Sequence, residues 1–216
     1  KIKFYQASSS EMFGKSKPPQ NEKTLFLPRS VYAISKVFAY HCVVHYREAY
    51  NLHACNGILF NHESPRRGVN FVTKKIVQGL TRIKKGQQKT LTLGNLYARR
   101  DWGHAKDYVD SMWKILQYKK ADDYVVSTNT SHSVKDFVNI CSKKLDMNII
   151  WKNKGLNEIG IEKNTNQIII KIDKKYFRET EVDNLIGDYS KAKTKLKWKP
   201  KYSFEKLVDD MIKNEF

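Results

Sequence analysis

Short apolar segments alternate with amphipathic helical patterns along this chain, and this alternation constrains the fold more than any other feature. Residues 54–60, Ala-Cys-Asn-Gly-Ile-Leu-Phe, form an apolar run typical of a strand buried on both faces of a parallel sheet. A long helical pattern capped by Ser30 precedes this run, and a second helical pattern, ending at Gly86, follows it. Strands separated by helices predict an α/β fold with a parallel sheet.

The same alternation continues towards both ends of the chain. Residues 1–7 alternate in polarity and run into Ser8-Ser9-Ser10, which predicts a strand followed by a turn. A helix is expected over 107–116, with one apolar face formed by Tyr108, Val109, Met112, Trp113 and Leu116. Further elements are predicted as helices over 133–145 and 204–212 and as strands at 90–93, 124–127, 149–151 and 168–172.

Charge is the unusual part of the composition. Forty Lys and Arg against 22 Asp and Glu give a net charge of +18, which favours anionic partners such as nucleotides. The lysines are scattered and form no block of five like charges, a pattern more typical of a solvated surface than of a nucleic-acid interface. No apolar run reaches the roughly 18 residues that a membrane span needs. Three cysteines without a CxxC pair predict a reducing, cytoplasmic setting.

Tyr32 and Lys36 form a Tyr-x-x-x-Lys pair near the start of the first long helix. Residues four apart share one helix face, and a neighbouring ammonium stabilises the phenolate form that acts as a base. The spacing alone is weak evidence, because Tyr189 and Tyr202 are also followed by Lys four residues later. A surface pair is the alternative. His41 and His45 are also four apart, but packing or surface histidines explain them better, and no metal is predicted.

Polar residues follow the predicted strands where a parallel sheet binds ligands. Ser9 and Glu11 follow the first strand and offer a hydroxyl and a carboxylate, although a serine-rich turn with Glu11 in a helical turn is an alternative. Residues 61–68, Asn-His-Glu-Ser-Pro-Arg-Arg-Gly, follow the next strand and suit a phosphate or a nucleotide, with a solvated loop as the alternative. Residues 99–107 place Arg beside Trp, which suits an anionic, ring-bearing ligand; an Arg–Asp pair with a buried Trp is the alternative.

These stretches together resemble the GDP-mannose 4,6-dehydratase family of the extended short-chain dehydrogenase/reductases. The resemblance runs along essentially the whole chain. It is most specific in FYQASSSEMFG (4–14), RSVYAISK (29–36), NGILFNHESPRRG (56–68), DWGHAKDY (101–108) and YFRETEVDNLIG (176–187).

The resemblance implies an internal redox dehydration of GDP-mannose on bound NADP. Tyr32 is expected to be the base for the sugar 4-hydroxyl, Ser9 to polarise the 4-oxygen, and Glu11 to remove the C5 proton. Lys36 and Tyr32 are expected to contact the cofactor, as are His62 and Arg67. The residues expected to hold the GDP-sugar are Asn61, Lys75, Arg100, Arg178 and Glu181.

The resemblance also implies a Rossmann-like parallel sheet with a smaller carboxy-terminal α/β region. Residues 1–69 are expected to be the second half of the dinucleotide-binding domain and residues 70–216 mainly the nucleotide-sugar-binding region, interleaved with the sheet. No Gly-x-Gly-x-x-Gly turn occurs in the sequence. We therefore expect the first βα units of the family to be absent and this chain alone to bind NADP poorly. A dimer or tetramer is implied for the full-length form.

Other function classes stay open at this point. A truncated chain can act as a non-catalytic nucleotide-sugar or nucleic-acid binder, or be a remnant without a stable fold, since an incomplete sheet exposes an edge strand. A related nucleotide-sugar epimerase or dehydratase is the nearest enzymatic alternative, and Glu11 favours dehydration over epimerisation.

Overall fold

The computed structural model describes residues 2–177, 180 and 182–215. The chain forms two compact units, each assembled from three chain segments. The first unit contains Lys1–His62, Arg100–Ser131 and Val182–Ser203, and the second contains Glu63–Arg99, His132–Glu181 and Phe204–Phe216. Neither unit is one continuous stretch, and the predicted functional division near residue 69 stays a prediction.

The secondary structure alternates as the sequence predicts. The strands are β1 (Lys3–Ser9), β2 (His53–Leu59), β3 (Asn61–Glu63), β4 (Leu91–Leu93), β5 (Arg99–Arg100), β6 (Trp102–His104), β7 (Asp123–Val126), β8 (His132–Ser133), β9 (Ile149–Lys152), β10 (Ile159–Glu162) and β11 (Gln167–Ile172). The helices are α1 (Val31–Tyr50), α2 (Val72–Lys84), α3 (Ala105–Gln117), α4 (Val134–Lys144), α5 (Ser190–Leu196) and α6 (Phe204–Lys213). Short 3₁₀ helices cover Ser10–Met12, Gly155–Asn157 and Lys174–Tyr176. No helix in the described part of the chain is long and apolar enough to cross a membrane.

A three-stranded parallel sheet in the order β1-β2-β7 forms the centre of the first unit. Successive side chains of β2 and β7 point to opposite faces, and both faces are covered, which confirms the predicted buried parallel strand. One face packs against α3 and α5 through the cluster Cys55, Leu59, Tyr108, Ile115, Tyr124, Val126, Ala192, Leu196 and Trp198. The other face forms the cluster Met12, Phe13, Ile58, Phe60, Val125, Val182 and Leu185.

A buried carboxylate at the start of β7 holds helix α1 against this sheet. Asp123 accepts two hydrogen bonds of 2.8 Å from the Arg47 guanidinium and one of 2.9 Å from the Tyr40 hydroxyl. The side-chain amide of Asn56, on β2, donates to the same carboxylate at 2.8 Å. Burial alone would raise the pKa of Asp123, but the hydrogen bonds from Arg47 and Asn56 and the Arg47 charge bring it below its ordinary value.

The second unit combines a mixed sheet with three helices. The strand order is β4-β11-β10-β9, with β4 parallel to β11 and the other neighbours antiparallel. Helices α2, α4 and α6 pack against one another. A capping box fixes the start of α4, because the Ser133 side chain accepts from the Asp136 N–H and the Asp136 carboxylate accepts from the Ser133 N–H. Sequence patterns predicted three of these strands and missed β10.

The predicted apolar face of α3 is partly wrong. Tyr108 is buried, but Val109 and Trp113 are 61% and 65% exposed. The buried face instead carries two polar residues, Asp107 and Ser111. Asp107 is buried because its carboxylate accepts hydrogen bonds from the backbone N–H groups of residues 201 and 202. A backbone requirement, which hydrophobic periodicity does not contain, therefore sets the orientation of this helix.

Replacing Asp123 with Ala should destabilise the protein by about 3 kcal/mol, because the substitution leaves the Arg47 charge and the Asn56 amide without their acceptor. Urea unfolding measures the change. Asp209→Ala is the control, since its ion pair with Lys144 is solvent-accessible and should contribute less than about 1 kcal/mol. Equal losses in the two variants would contradict the anchoring role of Asp123.

The contribution of Asp123 should depend on pH. A carboxyl group whose pKa is lower in the folded than in the unfolded state stabilises the fold above its unfolded pKa, and this stability is lost as the pH falls through the folded pKa. The stability difference between wild type and Asp123→Asn should therefore be nearly constant from about pH 7 to about pH 5 and should shrink as the pH falls below about 4. Urea unfolding at several pH values tests this, and a difference that grows on acidification would be the wrong sign.

Candidate active site

The first group of predicted site residues lies where β1 ends. Ser9 is the last residue of β1, and its Oγ accepts a hydrogen bond of 3.2 Å from the Glu11 N–H at the start of the 3₁₀ helix. Met12 and Phe13, which follow in the chain, are fully buried and anchor this turn in the apolar core. The Ser9 O–H itself donates to no described residue. Ser9 can therefore donate a hydrogen bond to a ligand oxygen. Glu11, two residues later in the chain, is half-buried.

Helix α1 brings the Tyr-x-x-x-Lys pair to the same end of β1. The Ser30 hydroxyl accepts from the Ala33 N–H at 3.1 Å, so the helix starts at Val31 and Tyr32 lies in its first turn. The Lys36 ammonium donates to the Ala7 carbonyl of β1 at 2.8 Å and lies 5.7 Å from the centre of the Tyr32 ring. Tyr32 is 54% exposed, and its hydroxyl bonds to no described residue.

Parallel pairing places the polar residues after β2 beside those after β1. Ser9 pairs in register with Leu59, the last residue of β2, and Asn61 and His62 follow two and three residues later. The Oδ1 of Asn61 is buried and accepts no hydrogen bond from the described residues. A carbonyl can only accept, so the His62 Nδ1–H donates to the Phe60 carbonyl, at 2.9 Å. The His62 ring also stacks on the Tyr108 ring, which fixes its orientation.

Residues 99–107 are organised by a buried acid that sequence reasoning did not select. The Asp101 carboxylate accepts from the Thr128 hydroxyl and from the N–H groups of Thr128, Asn129 and Gly187. Burial raises the pKa of Asp101 to about 6, although these hydrogen bonds act in the opposite direction. Arg100, buried next to it, donates to the Val182 carbonyl at 2.6 Å.

The idea that Trp102 offers its ring to a ligand is wrong. The residue is 3% exposed and belongs to the interior of the fold, so the alternative of a buried Trp is the correct one. The histidines of α1 likewise pack on aromatic rings: His41 contacts Phe26 and Tyr40, and His45 contacts Tyr46 and Tyr50.

Two predicted ligand-binding cations belong to the second unit, and the structure pairs each with a ring. The Arg67 guanidinium lies 3.4 Å from the centre of the Phe71 ring, and the Lys75 ammonium lies 3.6 Å from the centre of the Tyr176 ring. Phe71 immediately precedes α2 and is 48% exposed. The remaining predicted substrate residues, Arg178 and Glu181, lie outside the described residues.

Sequence reasoning also missed Glu63, the carboxylate that holds Arg67. Glu63 is 2% exposed, accepts from the Thr73 hydroxyl at 2.6 Å and lies 3.0 Å from the Arg67 Nε. Burial raises the pKa of Glu63 to about 7, against the lowering effects of Arg67 and Thr73. The available signal was the i, i+4 spacing of Glu63 and Arg67 within the Arg-rich segment, but spacing alone does not reveal burial.

Comparison with known proteins agrees with the resemblance seen in the motifs. The family model described as GDP-mannose 4,6 dehydratase matches residues 1–211. GDP-mannose 4,6 dehydratase of Drosophila melanogaster is 53% identical over 213 residues, which cover 98% of this chain and 54% of that protein. GDP-mannose 4,6 dehydratase 1 of Arabidopsis thaliana is 57% identical over 211 residues, with 98% and 54% of the two chains covered.

Solved structures support the same fold. RMD from Pseudomonas aeruginosa complexed with NADPH superimposes with a TM-score of 0.82 at 18% identity, over 99% of this chain and 66% of that chain. The dTDP-glucose 4,6-dehydratase from Bacillus anthracis in complex with NAD gives a TM-score of 0.79 at 21% identity, over 99% and 61% of the chains. These likenesses establish the α/β architecture of nucleotide-sugar dehydratases and epimerases.

The chain spans about half the length of the curated relatives it matches. Its family is nevertheless defined by the match that covers residues 1–211 and by the identities above one half along nearly all of the chain. The chain belongs to the GDP-mannose 4,6-dehydratase family.

Proposed function

We propose that the protein carrying this chain converts GDP-mannose to GDP-4-dehydro-6-deoxy-mannose, with NADP as cofactor. The observation that carries the proposal is the 2.8 Å hydrogen bond from Lys36 to the Ala7 carbonyl. This bond ties the helix that carries Tyr32 to the strand end that carries Ser9 and Glu11. A base with its ammonium, a hydroxyl and a second carboxylate then lie on neighbouring elements, as a dehydration with two separate proton removals requires.

Tyr32 acts first, as the base that takes the proton from the sugar 4-hydroxyl. The phenol is suited to this because its hydroxyl is accessible and unbonded within the described residues. The Lys36 ammonium lies 5.7 Å from the centre of the Tyr32 ring, so a positive charge stands next to the group that takes up the proton. Ser9 donates its free O–H to the same sugar oxygen as the carbonyl forms and thereby holds the reacting carbon in place.

Glu11 acts second, on the proton at C5. The ketone at C4 makes this proton acidic, and the Glu11 carboxylate removes it as water departs from C6. The turn that holds Glu11 is fixed by its N–H bond to Ser9, so the hydroxyl and the carboxylate address adjacent carbons of one hexose. A second base of this kind distinguishes a dehydratase from a 4-epimerase, which inverts C4 through the ketone and needs no proton removal at C5.

The chain has side chains that fit a dinucleotide. NADP, when bound, supplies the hydride acceptor and donor that the reaction needs. Lys36 would hold the ribose next to the nicotinamide, and the oriented ring of His62 would contact the cofactor. Arg67 fits a phosphoryl group because no described residue accepts from its two terminal nitrogens.

The GDP-sugar would be held by an amide and several cations. The unbonded, buried Oδ1 of Asn61 calls for a donor such as a sugar hydroxyl, because a buried polar atom without a partner is costly. Lys75 and Arg100 supply positive charge for the diphosphate, and Arg178 and Glu181 are proposed to complete the substrate contacts. The division into a cofactor part at 1–69 and a sugar part at 70–216, and a dimeric or tetrameric full-length form, are part of the same proposal.

Tyr32→Phe should lower kcat by roughly 10²–10⁴-fold, the contribution of a general base. The Kd for GDP-mannose should change by less than about tenfold, because only one neutral hydrogen bond is lost. Turnover and calorimetric binding are measured on the protein expressed from its complete reading frame. Tyr46→Phe is the matched control: Tyr46 lies on the same helix and is 52% exposed against 54% for Tyr32. RNA or DNA binding that weakens steeply with salt, together with turnover unaffected by Tyr32→Phe, would replace the enzyme by a nucleic-acid binder.

Glu11→Gln should separate the two proton removals. Oxidation at C4 still occurs in this variant, because Tyr32 and Ser9 are intact, but the C5 proton stays in place. We expect absorbance from reduced nicotinamide to accumulate while formation of the 6-deoxy product falls by roughly 10²–10⁴-fold. Solvent deuterium should no longer enter C5, which mass spectrometry detects. Normal product formation in Glu11→Gln would exclude Glu11 as the second base.

A further inference from the structure

A buried acid in the second unit has no role in the chemistry proposed above. Glu63 ends strand β3 and is 2% exposed. Its carboxylate contacts two groups, the Thr73 hydroxyl at 2.6 Å and the Arg67 Nε at 3.0 Å. Thr73 is itself 1% exposed and lies in the first turn of α2. Glu63 therefore connects the end of β3, the loop that carries Arg67 and the start of α2.

This acid is an unfavourable choice if its purpose is stability. Taking a carboxylate out of water is unfavourable, and a pair with a guanidinium seldom offsets the whole of that loss. The pKa of Glu63 is raised to about 7, so burial outweighs the attraction of Arg67. An apolar residue at position 63, packed against a valine at position 73, would fill the same space without that cost.

Glu63 contacts the Arg67 side chain only at Nε, and it leaves the two terminal nitrogens of the guanidinium open. The Glu63 carboxylate forms an ion pair with the Arg67 Nε at 3.0 Å, although the buried Nε–H makes no hydrogen bond among the described residues, and the Phe71 ring covers one face of the guanidinium at 3.4 Å from the ring centre. The Arg67 N–H bonds to the Ser64 carbonyl at 2.9 Å, which fixes the backbone as well. No described residue accepts from Nη1 or Nη2. Glu63 restrains the Nε edge of the guanidinium and Phe71 restrains one of its faces. The two terminal nitrogens, Nη1 and Nη2, then form a fork that matches two phosphoryl oxygens.

We propose that Glu63 is a positioning residue that, with Phe71, sets the Arg67 guanidinium so that Nη1 and Nη2 bind a phosphoryl group of the dinucleotide. This inference rests on the proposed function, which gives Arg67 its ligand. An arginine side chain loses rotamer entropy when it is fixed. Glu63 imposes this loss on folding, before the ligand arrives, and so increases the affinity for the phosphoryl group.

The test uses substitutions that separate positioning from packing. Glu63→Leu combined with Thr73→Val removes the acid and its hydrogen-bond partner together, so no buried polar group is left unpaired at this position. Glu63→Gln is the conservative variant, because its amide oxygen can still accept from Thr73 and lie against the Arg67 Nε. The double variant should weaken NADPH binding by about tenfold, and Glu63→Gln by less than about threefold. NADPH fluorescence titration of the protein from its complete reading frame gives the Kd values.

The background variant Arg67→Met decides whether Glu63 acts through Arg67. In that background the Glu63→Leu and Thr73→Val substitutions should change the Kd for NADPH no further, because the side chain they position is gone. A tenfold loss in both backgrounds would overturn the proposal and make Glu63 a structural residue. An unchanged Kd in the double variant, with Arg67→Met still weakening binding, would also overturn it.

A readout without any ligand completes the test. The Arg67 Nε–H should give a distinct, slowly exchanging NMR signal in wild type and in Glu63→Gln, and this signal should be lost in the double variant. Persistence of the signal in the double variant would overturn the positioning role. Failure of the proposed function is seen separately, in turnover that survives Tyr32→Phe and Glu11→Gln.

Discussion

The position of helix α1 depends on the buried carboxylate of Asp123. The helix has 20 residues, but only Ala33 and Val43 are buried, and Phe38 in its middle is 72% exposed. Apolar packing within the described residues is therefore a weak constraint on where the helix lies along the sheet. Asp123 supplies the missing constraint, because hydrogen bonds from Arg47 have a fixed length and direction, whereas apolar contacts tolerate sliding. The opposite end of α1 is fixed by Lys36 on the Ala7 carbonyl.

Parallel strand geometry explains why the polar residues gather at one edge. Strands β1 and β2 run in the same direction and in register over seven residues, so their chain reversals occur at the same level. Inside the sheet, polar side chains bond to one another: the Ser8 hydroxyl donates to the Asn56 amide oxygen, and the Asn56 amide donates to Asp123. Ser9 on β1 and Leu59 on β2 are the last paired residues, and the polar side chains proposed to bind ligands begin at this level. The site therefore lies at the edge where the paired strands end.

The sequence predicts those parts of the structure that depend on local pattern. The apolar run of β2 and the Ser30 and Ser133 caps were predictable, because burial on both faces and the first helical turn have local signatures. The face of α3 was not, since Asp107 is turned inward by backbone donors about 95 residues later in the chain. Strand β10 was missed because its Gly160 and Glu162 break the expected run of apolar residues. Contacts distant in sequence leave no periodic trace.

The candidate site divides along the same line. Motifs identified the groups that would touch a ligand, such as Tyr32 and Arg67, because their chemistry is visible in the residue type. The carboxylates that orient these ligand-binding groups were not identified, because a glutamate in a polar segment is expected on the surface until its burial is known. Glu63 and Asp123 share this property: each is a buried carboxylate within 3.0 Å of an arginine nitrogen, and each restricts a neighbouring side chain. They differ in net effect, because four strong hydrogen bonds lower the pKa of Asp123, whereas two contacts leave the pKa of Glu63 raised. The first anchor therefore favours the fold at neutral pH, whereas the burial of the second opposes it. A buried acid that does not stabilise the fold is consistent with the role we propose for Glu63, the orientation of Arg67.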